Sequence, residues 1–143
     1  SVGWLDWNLL LNLEGGPNHV GNNCDAAMVA DMDGSRLWKH PQYYALGHFS
    51  KFIRPRSRRA PTVVRKSSSF DGYRPYGSCD GRDGLEATSF VQEDGTLIVV
   101  ALNCGNGWMD FKIRLDRSSA MRAKIPPQSL QTYEVKGYLV NLG

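Results

Sequence analysis

The side chains in this sequence that could do chemistry are cysteines, histidines, carboxylates and a block of arginines. Cys24, Cys79 and Cys104 form no CxxC pair and have no Cys/His spacing of the kind that holds zinc. Three is an odd number, so at least one lies outside any disulfide within the chain, and spacing does not assign a pair. His19 and His40 lack ligand partners at useful spacing, and His48 falls on an expected helix as a surface or interface residue. No nucleophile-elbow motif supports a Ser/His/Asp site. Asp31-Met32-Asp33-Gly34 is too short for a calcium loop. Arg54, Arg56, Arg58, Arg59, Arg65 and Lys66 fall in one stretch with no acid among them. A like-charge block of this kind ordinarily forms a solvated loop, and its functional alternative is contact with an anionic lipid or acidic partner. The overall net charge of +3 gives no indication of nucleic-acid binding.

The elements that would position these residues fall into two styles. Trp4, Leu5, Trp7, Leu9, Leu10 and Leu11 predict a short buried strand ending near Asn8. Glu14-Gly15-Gly16-Pro17-Asn18-His19 then reads as a loop, and Asp33-Gly34 as a turn. The spacing of Tyr43, Leu46, Phe49 and Ile53 predicts a helix over 41–53, with Pro41 in its first turn and Pro55 as its stop. Residues 54–84 are basic, Ser-rich and Gly-rich, and read as a linker with an inserted loop. Beyond residue 85 the period becomes two. Residues 87–92 and 96–103 flank Glu93-Asp94-Gly95 as a hairpin, 109–115 alternate apolar and charged, and 120–125 and 130–135 complete a set of short strands. The expected organisation is therefore 1–53, 54–84 and 85–143. With 143 residues the chain cannot hold a whole (β/α)8 barrel, which needs about 250. It contains no run of 18 apolar residues, no initiator Met and no signal segment, and it opens as the interior of a longer protein would.

The runs Gly3-Trp4-Leu5-Asp6-Trp7-Asn8, Leu11-Asn12-Leu13-Glu14-Gly15-Gly16-Pro17-Asn18 and Tyr43-Tyr44-Ala45-Leu46-Gly47-His48-Phe49-Ser50-Lys51-Phe52-Ile53 resemble glycoside hydrolase family 30, the glucosylceramidase family. The run Gly95 to Asn103 fits the same family. The resemblance implies a mainly β chain with one α/β unit: the last strand, loop and helix of a (β/α)8 TIM barrel, followed by a C-terminal antiparallel β-sandwich. It implies a parent that cleaves the β-glucosyl bond of glucosylceramide or another β-glucoside with retention, in a lysosomal or secreted setting. No metal or organic cofactor is implied.

Retaining chemistry needs an acid/base carboxyl and a nucleophile carboxylate. The family carries both as glutamates on earlier barrel strands. Glu14, Glu86, Glu93 and Glu134 match neither motif, so no catalytic residue is assigned and the chain alone is expected to be inactive. The resemblance instead implies substrate-binding residues. Trp7 corresponds to a pocket tryptophan at the end of a barrel strand, Asn22 (or its neighbour Asn23) to a rim asparagine, and Asp6 to an aspartate near the pocket. His19 stands where the family usually has tryptophan. Core packing of Trp7 and a structural hydrogen-bonding role for Asp6 are the competing readings. Two other function classes stand beside the enzyme: a non-catalytic β-sandwich module binding sugar or lipid, and a basic adaptor whose binding would depend steeply on salt. A lone barrel strand has unpaired edges, so residues 1–53 are expected to be poorly stable alone or to borrow a partner surface.

Overall fold

The structure, a computed structural model, describes residues 3–18, 20–21, 23–65, 79, 84–116 and 118–137. It divides into two compact units, residues 1–47 and 48–143.

In the first unit, β1 (Leu10–Asn12) pairs in parallel with β2 (Met28–Ala30), which pairs antiparallel with β3 (Leu37–Lys39). The expected strand through Trp4 and Trp7 is not formed. The regular strand is β1, which follows Asn8, and residues 3–8 belong to no ladder. A strand exists through its neighbours' hydrogen bonds, and among the described residues none pairs with 3–8. Trp4, Leu5 and Trp7 are accordingly exposed. β2 and β3 lie where no strand is expected; at three residues each they carry no readable alternation. Asp31 closes the turn between them by accepting from the Arg36 N–H and the Ser35 hydroxyl, both at 2.9 Å. The chain then enters helix α1 (Pro41–Ser50).

α1 stops three residues before the expected Ile53, although the Ile53 N–H still reaches the Phe49 carbonyl at 2.9 Å. Pro55, lacking an N–H, prevents the helix from resuming. No residue of α1 is buried, so its expected apolar face is at most half covered. Among the described residues no helix is long and apolar enough to cross a membrane.

The second unit is a two-layer sandwich. One layer has the order β4 (Arg58–Ala60), β5 (Leu85–Val91), β6 (Leu97–Asn103) and β9 (Ser129–Val135), antiparallel throughout. The other is the hairpin of β7 (Met109–Arg114) and β8 (Ala120–Ile125). Ile113 and Ile125 reach inward from the hairpin to pack in clusters with Val91, Leu97 and Val99, and with Leu85 and Ala101, respectively. β6 is one of the two inner strands, and Leu97 through Ala101 are all buried, so both of its faces are covered. The β5–β6 turn is the expected one at Glu93-Asp94-Gly95. Gly95 adopts φ 80°, and the Asp94 carboxylate accepts the Thr96 N–H at 2.9 Å.

β4 corrects the reading of the basic block as a linker loop. Arg58, Arg59 and Ala60 pair with Val91, Phe90 and Ser89 as the edge of the sheet. Exposed arginines on an edge strand discourage pairing with another chain. Nearby, Arg56 forms an exposed ion pair with Glu93 at 2.9 Å. Most of the remaining expected insertion, residues 66–78 and 80–83, lies outside the described residues.

Candidate functional site

The Asp6–Asn8 segment is held by its own polar groups. One Asp6 carboxylate oxygen accepts the Trp7 N–H at 2.9 Å, and the other accepts from the Gln42 side chain in the first turn of α1. Asp6 therefore ties the segment to the helix start. Asn8 follows with φ 56°, a left-handed conformation that asparagine tolerates better than most residues. Between them Trp7 projects with three quarters of its surface exposed (75%). An indole face in this state can lie against the C–H face of a sugar ring, and its N–H can donate to a hydroxyl. Asn22, the expected rim residue, and His19 lie outside the described residues.

The loop after β1 is organised by Asn12, a residue the sequence reading did not single out. Its side-chain oxygen accepts the N–H groups of Glu14 (3.0 Å) and Gly16 (2.8 Å), and its own N–H donates to the Gly16 carbonyl at 2.7 Å. Gly15 is buried at φ 75°, and a Cβ there would sit 2.6 Å from the Cys24 carbonyl oxygen. The Asn-x-x-Gly-Gly spacing was the available signal: an amide that caps the glycines four residues on.

Several carboxylates are engaged structurally. Glu86 accepts the Cys79 N–H at 2.6 Å, Glu93 pairs with Arg56, and Asp25 pairs with His40 at 3.0 Å. N–H donation from Ser35 lowers the pKa of Asp33, and N–H donation from Thr96 lowers that of Asp94. Asp116 is lowered to about 2, chiefly by the Ser118 hydroxyl and then by the Ser118 N–H. A glycosidase general acid requires a shift in the opposite direction. Cys79, Glu86 and Cys104 lie together, but the two sulfurs form a disulfide, with Cα atoms 5.6 Å apart, and so are not available as thiolate ligands.

Residues 1–53 match the profile of the glycosyl hydrolase family 30 TIM-barrel domain, and residues 68–133 match that of the glycosyl hydrolase family 30 beta sandwich domain. The chain belongs to glycoside hydrolase family 30. It is 34% identical over 132 residues to the lysosomal acid glucosylceramidase of Mus musculus, covering 92% of this chain and 23% of that protein. SrfJ from Salmonella typhimurium superposes with a TM-score of 0.71 at 30% identity, over 91% of this chain and 25% of that one. The endo-beta1,6-glucanase BT3312 superposes equally well at 21% identity, which speaks to the fold alone. This family 30 chain thus spans about a quarter of the length of these relatives. Its fold is the one expected of it, the end of the family's TIM barrel with the β-sandwich.

Proposed function

We propose that this chain is part of a retaining β-glucosidase of the glucosylceramidase type, and that by itself it does not catalyse. In this reading residues 1–53 supply the last strand, loop and helix of the catalytic barrel, and the sandwich takes its edge strand β4 from within 54–84 and its other strands from 85–143. Residues 3–8 become a barrel strand once neighbouring strands offer their ladder groups. Trp4, Asp6 and Asn8 then alternate with Leu5 and Trp7 across the sheet. Trp7 serves as a platform for the glucosyl ring, Asp6 fixes the backbone that carries it, and Asn22 bonds a sugar hydroxyl at the rim. The substrate is glucosylceramide or a related β-glucoside. The two glutamates that perform the displacement come from barrel strands outside these 143 residues.

The observation that carries this reading is the exposed Trp7 on an Asp6-anchored segment, within a stretch that matches the family's barrel end. The name of the mouse relative supports both the substrate class and a lysosomal compartment. The Cys79–Cys104 disulfide independently supports an oxidising compartment.

The test is hydrolysis of a fluorogenic β-glucoside by the purified chain and by its Trp7→Ala variant. No turnover by either is the expected result. Turnover by the parent that is lost in Trp7→Ala would overturn the assignment of the catalytic carboxylates to other strands.

A further inference from the structure

The outer face of the β7–β8 hairpin has no role in the chemistry above. Asp110, Lys112 and Arg114 on β7, and Arg122 and Lys124 on β8, all point away from the core and are exposed, while Ile113 and Ile125 point inward and are buried. The register sets Lys112 directly opposite Arg122, and Asp110 opposite Lys124. Like charges directly opposite on one face destabilise a strand pair. Among the described residues no ion pair reaches Lys112, Arg122 or Lys124. The hairpin therefore carries a row of cations at a cost to its own pairing.

At the end of this row stands Trp108, 63% exposed, with the Lys124 ammonium 5.2 Å from its ring centre. The loop that presents it is held firmly. The buried Asn103 side chain donates to the Gly107 and Pro126 carbonyls, each at 2.8 Å, and accepts the Gly105 N–H at 2.9 Å. The disulfide anchors Cys104, and the Gln128 N–H donates to the Gly105 carbonyl at 3.1 Å. In the same loop, two residues before Trp108, the exposed Asn106 amide bonds that of the exposed Gln128 at 2.7 Å. An exposed indole on a loop pinned this closely is pre-organised, which lowers the entropic cost of binding.

We infer that this face binds an acidic glycan, a polysaccharide bearing carboxylate or sulfate groups. The cations pair with the anionic groups along the ribbon. Trp108 takes the C–H face of a pyranose, and the Asn106 and Gln128 amides take its hydroxyls. A bilayer fits less well, because among the described residues Trp108 is the one large apolar side chain exposed on this face, and Asp110 sits among the cations. An acidic peptide would match the charges but leave the indole and amide pair without a counterpart.

The test measures binding of the full 143-residue chain to immobilised heparin at several salt concentrations. Alongside run neutral dextran, phosphatidylserine vesicles and polyglutamate. The expected result is heparin binding that weakens steeply with salt and exceeds binding to the other three. Lys112→Gln/Arg122→Gln is expected to lose at least tenfold in affinity while melting no lower than the parent, since it removes a repulsive pair. Trp108→Ala loses several-fold with the salt slope retained, and Arg58→Gln/Arg59→Gln on the sheet edge binds as the parent does. The inference is overturned if the parent chain does not bind heparin or if Lys112→Gln/Arg122→Gln binds like the parent. It is overturned equally if the Arg58/Arg59 change abolishes binding, or if vesicles or polyglutamate bind more tightly than heparin.

Discussion

Asn103 has no solvent exposure, and its side chain bonds three backbone groups of the loop: the Gly105 N–H and the Gly107 and Pro126 carbonyls, the last of which also accepts from the Ser129 hydroxyl. Replacing it with alanine leaves the Gly105 N–H and the Gly107 carbonyl without that partner in a part-buried setting. Each buried polar group left without a partner costs on the order of 1–3 kcal/mol, so Asn103→Ala is expected to lose about 3 kcal/mol in urea unfolding. A loss below about 0.5 kcal/mol would mean that the loop is satisfied some other way. Asp116 makes a pH-dependent version of the same point. Its carboxylate accepts from the Ser118 N–H and hydroxyl and the Ser119 N–H in the β7–β8 turn, which holds its pKa at about 2 against an ordinary 3.8. A carboxyl with a depressed folded pKa contributes stability above its unfolded pKa and loses it as pH falls through the folded one. The melting temperature of the parent should therefore exceed that of Asp116→Asn at pH 6. The gap should close as pH drops from 3.8 to about 2. A gap unchanged at pH 2 would show that the carboxylate charge plays no part in the turn.

At the scale of elements, legibility followed length and pairing. The β5–β6 hairpin, β7, β8 and β9 were readable because each has six or seven residues and an alternating pattern or a strong turn. β2, β3 and β4 were not, since three residues cannot display a period, and Arg58-Arg59-Ala60 reads as solvated chain until Val91, Phe90 and Ser89 pair with it. The strand expected at Trp4 to Asn8 failed for the converse reason: its residues suit a strand, but none of the described residues forms a ladder with it. Cysteine pairing was illegible too, because three thiols allow three choices and geometry alone selects Cys79 with Cys104. That crosslink joins residues 25 apart in sequence, and closing a loop of this size stabilises by about 3 kcal/mol. Cys79→Ser/Cys104→Ser is expected to lower the unfolding free energy of the sandwich by that order, read from its urea midpoint. An unchanged midpoint would mean that the bond does not form in solution.

For the whole molecule, the two units differ in how much apolar surface they cover. The sandwich buries Leu85, Val91, Leu97 through Ala101, Ile113 and Ile125. Among the described residues the first unit buries Leu11, Val29 and the small Ala26 and Ala27, and leaves Trp4, Leu5, Trp7, Leu9, Leu10 and Leu13 exposed. Burial of a large apolar side chain contributes roughly 1.5–3 kcal/mol, so six left in solvent forgo a sum comparable to the stability of a small domain. Backbone amides exchange through local opening whose free energy follows this burial. Amides of β5 and β6 should therefore exchange only with global unfolding of the sandwich, while those of residues 3–8 exchange within seconds and those of β1 to β3 at intermediate rates. Trp4 and Trp7 should also be open to acrylamide quenching in the native chain. Slow exchange across residues 3–8, with protected tryptophans, would mean that the isolated chain covers this segment with a surface of its own, or with a second copy. The proposal that it waits for neighbouring barrel strands would then fail, whereas rapid exchange there beside a protected sandwich is what a barrel strand without its neighbours must give.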